Sequence, residues 1–339
     1  MQIQAQLLPV VGAVGVSTLT PDQSISTWTQ QSHSNASSLK AVAWSPDLAR
    51  FVAVGPDGTD RAIRSSNGTA WTNSVTPVAP NVNAWQSLAW SPLLGLFVAT
   101  TSTTGGSSNA VMTSPDGITW TARTYATAGI WNVCWADTLA LFVAVSQTSG
   151  TTNKVMTSPD GINWTIRTAG GSTHQWRCVT WSHELGMLVA LSSVNLGGIV
   201  MTSTNGTAWT VRAAAGGVGR VWRGVTWAKE LGLFVGVAST LTTNNVMTSP
   251  DGITWSFVSA PQKGWTSVAW SPQFLRLVAV AETGTSQRIM SSPDATNWTL
   301  RDSPADLAWA SIAWSPALLR FVAVSNDAVA NNIMVSTAP

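Results

Sequence analysis

Charged side chains are scarce in this sequence. Asp, Glu, Lys and Arg make up 9% of the 339 residues, and the formal net charge is +2. The basic residues are scattered and form no patch of the kind that binds nucleic acid. Apolar runs are also short, since none approaches the roughly 18 residues that a membrane-spanning helix needs. We therefore expect neither a nucleic-acid partner nor a membrane span.

Residues with special chemistry are equally few. The three histidines, His33, His174 and His183, are isolated in the sequence from cysteine and carboxylate partners, so no metal-ligand or catalytic-triad spacing exists. The two cysteines, Cys134 and Cys178, are better explained as small core residues than as a disulfide framework. We predict no metal site and no cofactor.

The first 20 residues differ from the rest. They carry no charge, and their apolar middle resembles the core of a signal peptide, but no Lys or Arg precedes Lys40. We interpret residues 1–20 as an uncleaved apolar arm. Such an arm would be expected to bury itself on other structural protein chains and thereby anchor the protein in an oligomeric assembly.

What the sequence has in abundance is tryptophan, in two repeating series. The first series ends short apolar stretches at intervals of 43 to 46 residues and comprises Trp44, Trp90, Trp135, Trp181, Trp227, Trp270 and Trp314. The second keeps nearly the same period and comprises Trp28, Trp71, Trp120, Trp164, Trp209, Trp255 and Trp298. A period of 40 to 50 residues with four strand-like runs per unit is typical of a β-propeller.

We therefore predict an all-β fold, a seven-bladed β-propeller with four antiparallel strands per blade, over residues 21–339. The last repeat stops after a third strand, while the missing outer strand is found near the start of the chain, around Trp28. The N-terminal strand is thus expected to close the last blade and to leave no unpaired sheet edge.

A recurring turn links the third and fourth strands of each unit. In Ser114-Pro115-Asp116-Gly117, proline presets φ, aspartate accepts nearby backbone N–H groups, and glycine takes the left-handed conformation. Two repeats have asparagine in place of aspartate, which keeps an acceptor oxygen but cannot act as a general base. The turn residues are therefore expected to be structural: Asn67, Asp116, Asp160, Asn205, Asp251 and Asp294.

The run from Ser114 to Trp120 resembles the Asp-box of sialidase-like (BNR) propellers, of the kind encoded by bacteria and tailed phages, although it is one residue shorter. Sialidase-like glycosidases use an arginine cluster, a tyrosine assisted by a glutamate, and an aspartic acid. Here there is one tyrosine, Tyr125, and propeller geometry places Glu184 and Glu230 on the face opposite Glu282. Paired carboxylates are not indicated, so we predict no catalytic residues and no enzymatic activity.

A ligand would be expected on the face that carries the polar loops after the second strands. Tryptophans at the start of the inner strands stand at this face, and aromatic rings beside hydroxyl and amide groups suit sugars. The alternative is that they wedge between blades. The candidate ligand-binding residues are Trp85, Trp131, Trp176, Trp222, Trp265 and Trp309.

The sequence thus favours a non-enzymatic structural protein of a virion or cell surface, a phage tail or capsid-associated protein whose propeller recognises a cell-surface glycan or another receptor. The alternatives are a stand-alone multivalent lectin and a degenerate sialidase-like glycosidase. The expected location is the virion, with an extracellular or cell-surface location as the alternative.

Overall fold

The computed structural model describes residues 25, 27–34, 37–56, 61–77, 84–101, 110–123, 130–148, 150–169, 173–194, 199–212 and 219–337, without the side chains of Ile130 and Trp131. The apolar arm at residues 1–20 lies outside the described residues. Its anchoring role and its boundary with the propeller at residue 21 stay predictions.

The described chain forms 28 strands in seven four-stranded antiparallel sheets. It begins with β1 (Trp28–Gln31), and blade 1 then contains β2 (Ala41–Ser45), β3 (Arg50–Val54), β4 (Ala62–Ser65) and β5 (Thr72–Asn73). Blade 2 contains β6 (Trp85–Ser91), β7 (Leu96–Thr101), β8 (Val111–Ser114) and β9 (Thr121–Arg123). Blade 3 contains β10 (Ile130–Ala136), β11 (Leu141–Ser146), β12 (Val155–Ser158) and β13 (Thr165–Arg167).

Blade 4 contains β14 (Trp176–Ser182), β15 (Met187–Ser192), β16 (Val200–Ser203) and β17 (Thr210–Arg212). Blade 5 contains β18 (Trp222–Ala228), a short 3-10 helix (Lys229–Leu231), β19 (Leu233–Ala238), β20 (Val246–Ser249) and β21 (Ser256–Val258). Blade 6 contains β22 (Gly264–Ser271), β23 (Arg276–Thr283), β24 (Ile289–Ser292) and β25 (Thr299–Arg301). Blade 7 contains β26 (Trp309–Ser315), β27 (Arg320–Ser325) and β28 (Ile333–Ser336), and is completed by β1.

The ring closes through the N-terminal strand. β1 pairs antiparallel with β28, with Trp28 opposite Ser336 and Gln31 opposite Ile333. It therefore forms the outer strand of blade 7, so the two ends of the chain are joined in one sheet. The predicted seven-bladed architecture, with closure by the N-terminal strand, is confirmed.

An aromatic stack runs through most blades and joins the two tryptophan series. In blade 2, the ring centroids of Trp90 and Phe97 are 4.5 Å apart, and those of Phe97 and Trp120 are 6.2 Å apart. The central phenylalanine is completely buried. Blades 1, 3, 5 and 7 repeat this stack, whereas leucine replaces the phenylalanine in blades 4 and 6. The sequence period thus reflects one packing unit repeated around the ring.

The recurring turn is built on side-chain acceptors. The Asp116 Oδ1 accepts the N–H groups of Ile118 at 2.8 Å and Thr119 at 3.0 Å, while the Ser114 Oγ accepts that of Gly117 at 2.8 Å. Burial alone would raise the pKa of the Asp116 carboxyl, but these bonds outweigh it and lower the pKa. The other five turn residues accept the same two backbone bonds: Asn67, Asp160, Asn205, Asp251 and Asp294.

The glycine of this turn also sets the distance between blades. Gly117 has a φ of +67°, and a Cβ there would lie 2.7 Å from the Cγ2 of Val52 in blade 1. The turn therefore has a left-handed residue without a side chain where it packs on the preceding blade. Blade 6 has Ala295 at the equivalent position, with a φ of +64°.

Indole N–H groups link neighbouring blades on the face that carries the turns after the first strands. Of the seven tryptophans in the first series, five donate their indole N–H to a polar side chain of the preceding blade: Trp90 to Asp47, Trp181 to Asp137, Trp227 to Glu184, Trp270 to Glu230 and Trp314 to Gln273. The acceptor position is Leu93 or Ala317 at the other two interfaces, where the buried indole N–H groups of Trp135 and Trp44 find no hydrogen-bond partner among the described residues. Glu184 and Glu230 are thus acceptors that hold blades together.

A buried histidine lies at the ring closure. His33 is 4% exposed, its N–H bonds the carbonyl of Ala330 at 3.0 Å, and its Nε2 lies 2.9 Å from the Oδ1 of Asn332. The Nδ2 of Asn332 in turn donates to the carbonyl of Ser37 at 2.7 Å. Burial lowers the pKa of His33, and the bond to Asn332 only partly opposes this effect. The closure is therefore built around a neutral imidazole.

The first prediction concerns the turn. Asp116→Asn should change the free energy of unfolding by less than about 1 kcal/mol, because Asn67 and Asn205 make the same bonds. Asp116→Ala removes the acceptor for two N–H groups and should cost about 1–2 kcal/mol. Urea unfolding of both variants checks this. Equal losses in the two variants would contradict the acceptor role.

The second prediction concerns the indole links. Glu230→Ala leaves the Trp270 N–H without its acceptor and should lower the free energy of unfolding by about 1–3 kcal/mol. Glu230→Gln should cost much less, since Gln273 accepts the equivalent bond from Trp314 at 2.9 Å. Chemical denaturation measures both. A Gln variant as unstable as the Ala variant would show that the charge, not the acceptor, matters.

The third prediction concerns pH. Because the pKa of folded His33 is lowered, its contribution to stability is complete above its usual pKa of 6.5 and is lost as pH falls below it. His33→Gln, which does not titrate, should flatten the decrease in melting temperature between about pH 6.5 and 5. The lowered carboxylate pKa values of the turns affect stability at lower pH. An unchanged slope in His33→Gln would contradict this assignment.

Candidate functional site

A β-bulge near the start of the inner strands defines the candidate site. In blade 2, Trp85 pairs with Thr101 and Ser87 pairs with Thr100, so Gln86 is the extra residue. The same shift occurs in blades 3 to 7. A bulge changes the direction in which a side chain points. We call the residues at this position of the inner strands the bulge ring, and those that line the central channel are Lys40, Gln86, Arg177, Arg223, Thr266 and Ala310. Lys40 holds this position in blade 1, four residues before Trp44, where the pairing of β2 with β3 shows no shift.

The channel beneath this ring is a cavity of about 230 Å³. A second ring of small or polar residues follows, consisting of Ala41, Ser87, Asn132, Cys178, Gly224, Ser267 and Ser311. Below it the lining is apolar, with Val42, Leu88, Val133, Val179, Val225 and Val268. A ligand that enters from this side therefore meets charged and polar groups first and apolar groups at greater depth.

Polar residues of the second ring bind the neighbouring blade. The Ser87 Oγ accepts the N–H of Val133 at 3.1 Å, and the Asn132 Oδ1 accepts that of Val179 at 2.8 Å. Ser267 and Ser311 do the same for Ile312 and Val42, each at 3.3 Å. These side chains hold the blades in register. The other polar side chains of the cavity lining belong chiefly to the bulge ring above them.

Among the described residues that line this end of the cavity, the charges are mostly positive. Lys40, Arg177 and Arg223 enter from blades 1, 4 and 5, and Glu282 at the end of β23 is the carboxylate among the lining residues of the cavity. The Arg223 Nη2 donates to the Glu282 Oε1, and the Arg223 Nε donates to the Ser239 Oγ at 3.2 Å. We call the set Lys40, Gln86, Arg177, Arg223 and Glu282 the channel mouth.

The tryptophans expected to bind a ligand are buried instead. The relative exposure is 3% for Trp85 and 0% for Trp176, Trp222, Trp265 and Trp309. Their rings belong to the hydrophobic clusters of the blades, so no indole face is presented to a sugar. This corrects the sequence-based assignment, because the repeat uses these positions for packing.

Trp131 differs from the other five in register. Ile130 pairs with Ser146 and Asn132 with Val145, so Ile130 takes the position of Trp85 and Trp131 that of the bulge residue Gln86. The reason is the spacing, because Trp131 is four residues before Trp135 whereas Trp85 is five before Trp90. The side chain of Trp131 lies outside the described residues.

The cysteines take no reactive form. Burial raises the pKa of Cys134 to about 12 and also raises that of Cys178, against an opposing backbone bond from Leu191. Both are free thiols. At neutral pH they remain protonated, and a thiolate nucleophile is absent from these two positions.

The described part of the chain contains no group of three or more His, Cys, Asp or Glu side chains arranged to hold a metal ion. It also contains no helix long and apolar enough to cross a membrane.

Comparison with known proteins shows the fold. A streptogramin B lyase structure has a TM-score of 0.74 and 9% identity, covering 92% of this chain and 98% of that one. Virginiamycin B lyase from Staphylococcus aureus has a TM-score of 0.72 and 10% identity, and the match covers 91% of this chain and 99% of that one. YCF48 bound to a D1 peptide has a TM-score of 0.65 and 12% identity, and the match covers 92% of this chain and 97% of that one. No family model and no curated protein sequence matches the chain.

These comparisons correct the function expected from the sequence. The prediction of a non-enzymatic virion structural protein is wrong, because the similar structures include lyases, which are enzymes, and nothing points to a virion. The lectin and glycosidase alternatives and the term carbohydrate binding find no support either. The predicted virion location rests on the same interpretation and stays a prediction. The resemblance to Asp-box propellers holds only for the seven-bladed fold.

The error in excluding catalysis has a specific origin. The absence of the residues that a sialidase uses does not exclude other reactions on the same fold. The same fold also supports lyase chemistry, for which a structure of an inactive histidine-to-alanine variant exists with quinupristin. In this chain His33 lies in the ring closure and His183 pairs with Asp137 on the opposite face. Identities of 9% to 10% show a shared fold and assign no activity.

Proposed function

We propose that this protein is a binding propeller that captures an acidic peptide segment of a protein partner at the channel mouth. The observation that carries the proposal is the convergence of Lys40, Arg177 and Arg223 on one cavity in a chain with few charges. Three bases within a concave and partly buried site attract carboxylates more strongly than bases spread over an open surface.

The dimensions of the site support a peptide end or side chain rather than a large rigid ligand. The cavity of about 230 Å³ has polar groups at the rim and valines at depth. A carboxylate could therefore bind Arg177 while an aliphatic part enters the apolar lining. Gln86 at the rim supplies both donor and acceptor groups for a peptide backbone.

Two of the similar propellers support ligand binding in this fold. YCF48 is bound to a D1 peptide, and a virginiamycin B lyase is bound to quinupristin. Glu282 is the carboxylate that a reaction at the channel mouth would have available, so a bound ligand should also be followed for conversion.

The fourth prediction tests this function. A fluorescein-labelled Glu-Ser repeat peptide should bind the protein, and a Lys-Ser peptide should not. Arg177→Gln and Lys40→Gln should each weaken binding about tenfold, since bonds to charged groups contribute about 1.5–3 kcal/mol and 1.4 kcal/mol is a factor of ten. Fluorescence anisotropy measures affinity, and mass spectrometry of the recovered peptide detects any turnover.

The matched control is Arg167→Gln. Arg167 lies on the outer strand of blade 3, where its Nε donates to the Thr157 Oγ1 at 3.0 Å. The same charge is removed far from the channel, so affinity should be unchanged. Equal weakening by Arg167→Gln and Arg177→Gln would show a general charge effect and contradict a site at the channel mouth.

A further inference from the structure

We propose that Glu282 is the specificity-determining residue of the channel mouth, an internal carboxylate that competes with the carboxylate of a ligand for Arg223. This inference rests on the proposed function. It assigns the ion pair between blades 5 and 6 a role in selecting ligands by charge, beyond its contribution to packing.

The ion pair is placed where a ligand carboxylate would bind. Both side chains line the cavity, and the Arg223 Nη2 donates to the Glu282 Oε1. Their side chains are 19% and 31% exposed, so the pair is partly removed from water. Solvent screens the attraction within such a pair less than within a pair on an open surface. A competing anion must therefore overcome a stronger attraction between Arg223 and Glu282.

The backbone around Glu282 is fixed, whereas its carboxylate depends on Arg223. Blade 6 has the longest first and second strands, with eight residues each in β22 and β23, and Thr283 pairs with Gly264. The Arg288 Nη1 donates to the carbonyl of Glu282 at 3.2 Å. In the described part of the chain, Arg223 is the hydrogen-bond partner of the Glu282 carboxylate.

The approach of blades 5 and 6 explains how the pair forms. A Cβ on Gly224 would lie 3.0 Å from both the Ser267 Cα and the Thr266 carbonyl oxygen. Glycine at this position therefore lets the two inner strands come close, next to the arginine that reaches across. The Ser239 Oγ holds the Arg223 Nε from the blade 5 side and orients the guanidinium.

Occupation of Arg223 has a defined consequence for binding. A ligand whose single carboxylate binds at Arg177 in blade 4 leaves the ion pair of Arg223 and Glu282 intact. A second carboxylate near Arg223 either displaces Glu282 or binds beside a like charge, and both cost affinity. Glu282 should therefore lower affinity for ligands with several acidic groups and favour ligands with one.

The fifth prediction removes the competing charge. Glu282→Gln keeps an acceptor for Arg223 but removes the negative charge that neutralises this arginine. The affinity for the Glu-Ser repeat peptide should therefore rise about fivefold or more. A peptide with a single glutamate should gain less. The matched control is Glu230→Gln, which removes the same charge on the opposite face, where Gln273 shows that glutamine can replace the acceptor.

Anisotropy titrations with both peptides, on variants with unchanged melting temperature, separate the outcomes. A gain confined to Glu282→Gln and larger for the repeat peptide supports the proposal. If Arg177→Gln weakens binding but Glu282→Gln leaves it equal or weaker, the specificity role is overturned and the proposed function stands. If neither the wild-type protein nor Glu282→Gln binds the repeat peptide, both proposals fall.

Discussion

The burial of a tryptophan at the start of five inner strands constrains the rest of this structure. Trp176, Trp222, Trp265 and Trp309 are completely buried, and each packs within the clusters between sheets. With that residue fixed, the bulge that follows turns the next residue toward the channel. The packing of the blades and the chemistry of the channel mouth are therefore consequences of the same local geometry.

The blades are joined by side chains that complete backbone and indole hydrogen bonds. Serine and asparagine of the second ring accept N–H groups from the next blade near one end of the channel, as between Ser87 and Val133. Acidic side chains accept indole N–H groups near the other end, as between Glu184 and Trp227. Much of the small supply of carboxylates is thus used for assembly. The described ion pairs are few, and burial of aromatic and aliphatic surface supplies most of the stabilisation.

The basic residues of the channel mouth differ in position from the other arginines of the blades. Arg123, Arg167 and Arg212 lie on the outer strands and donate to threonine hydroxyls on the third strands of their own blades, in a repeated structural role. Arg177 and Arg223 instead occupy bulge positions, where the repeat itself does not require a charge, as Thr266 and Ala310 demonstrate. The positions that face the channel vary while the surrounding framework repeats, which is the arrangement expected when a scaffold carries a binding site.

The sequence by itself determined the repeated unit, the number of blades and the turn that recurs in them. The tryptophan period predicted seven blades, and the turn around Asp116 predicted an acceptor for local N–H groups, because both depend on interactions within one unit. Only the tertiary structure decided what the inner strands present. The one-residue difference in spacing between Trp131 and Trp85 can be read in the sequence, but the pairing of β10 with β11 is what places Trp131 at the bulge position. Likewise, Lys40, Arg177 and Arg223 are far apart in the chain and share a cavity because the ring closes through β1 and β28.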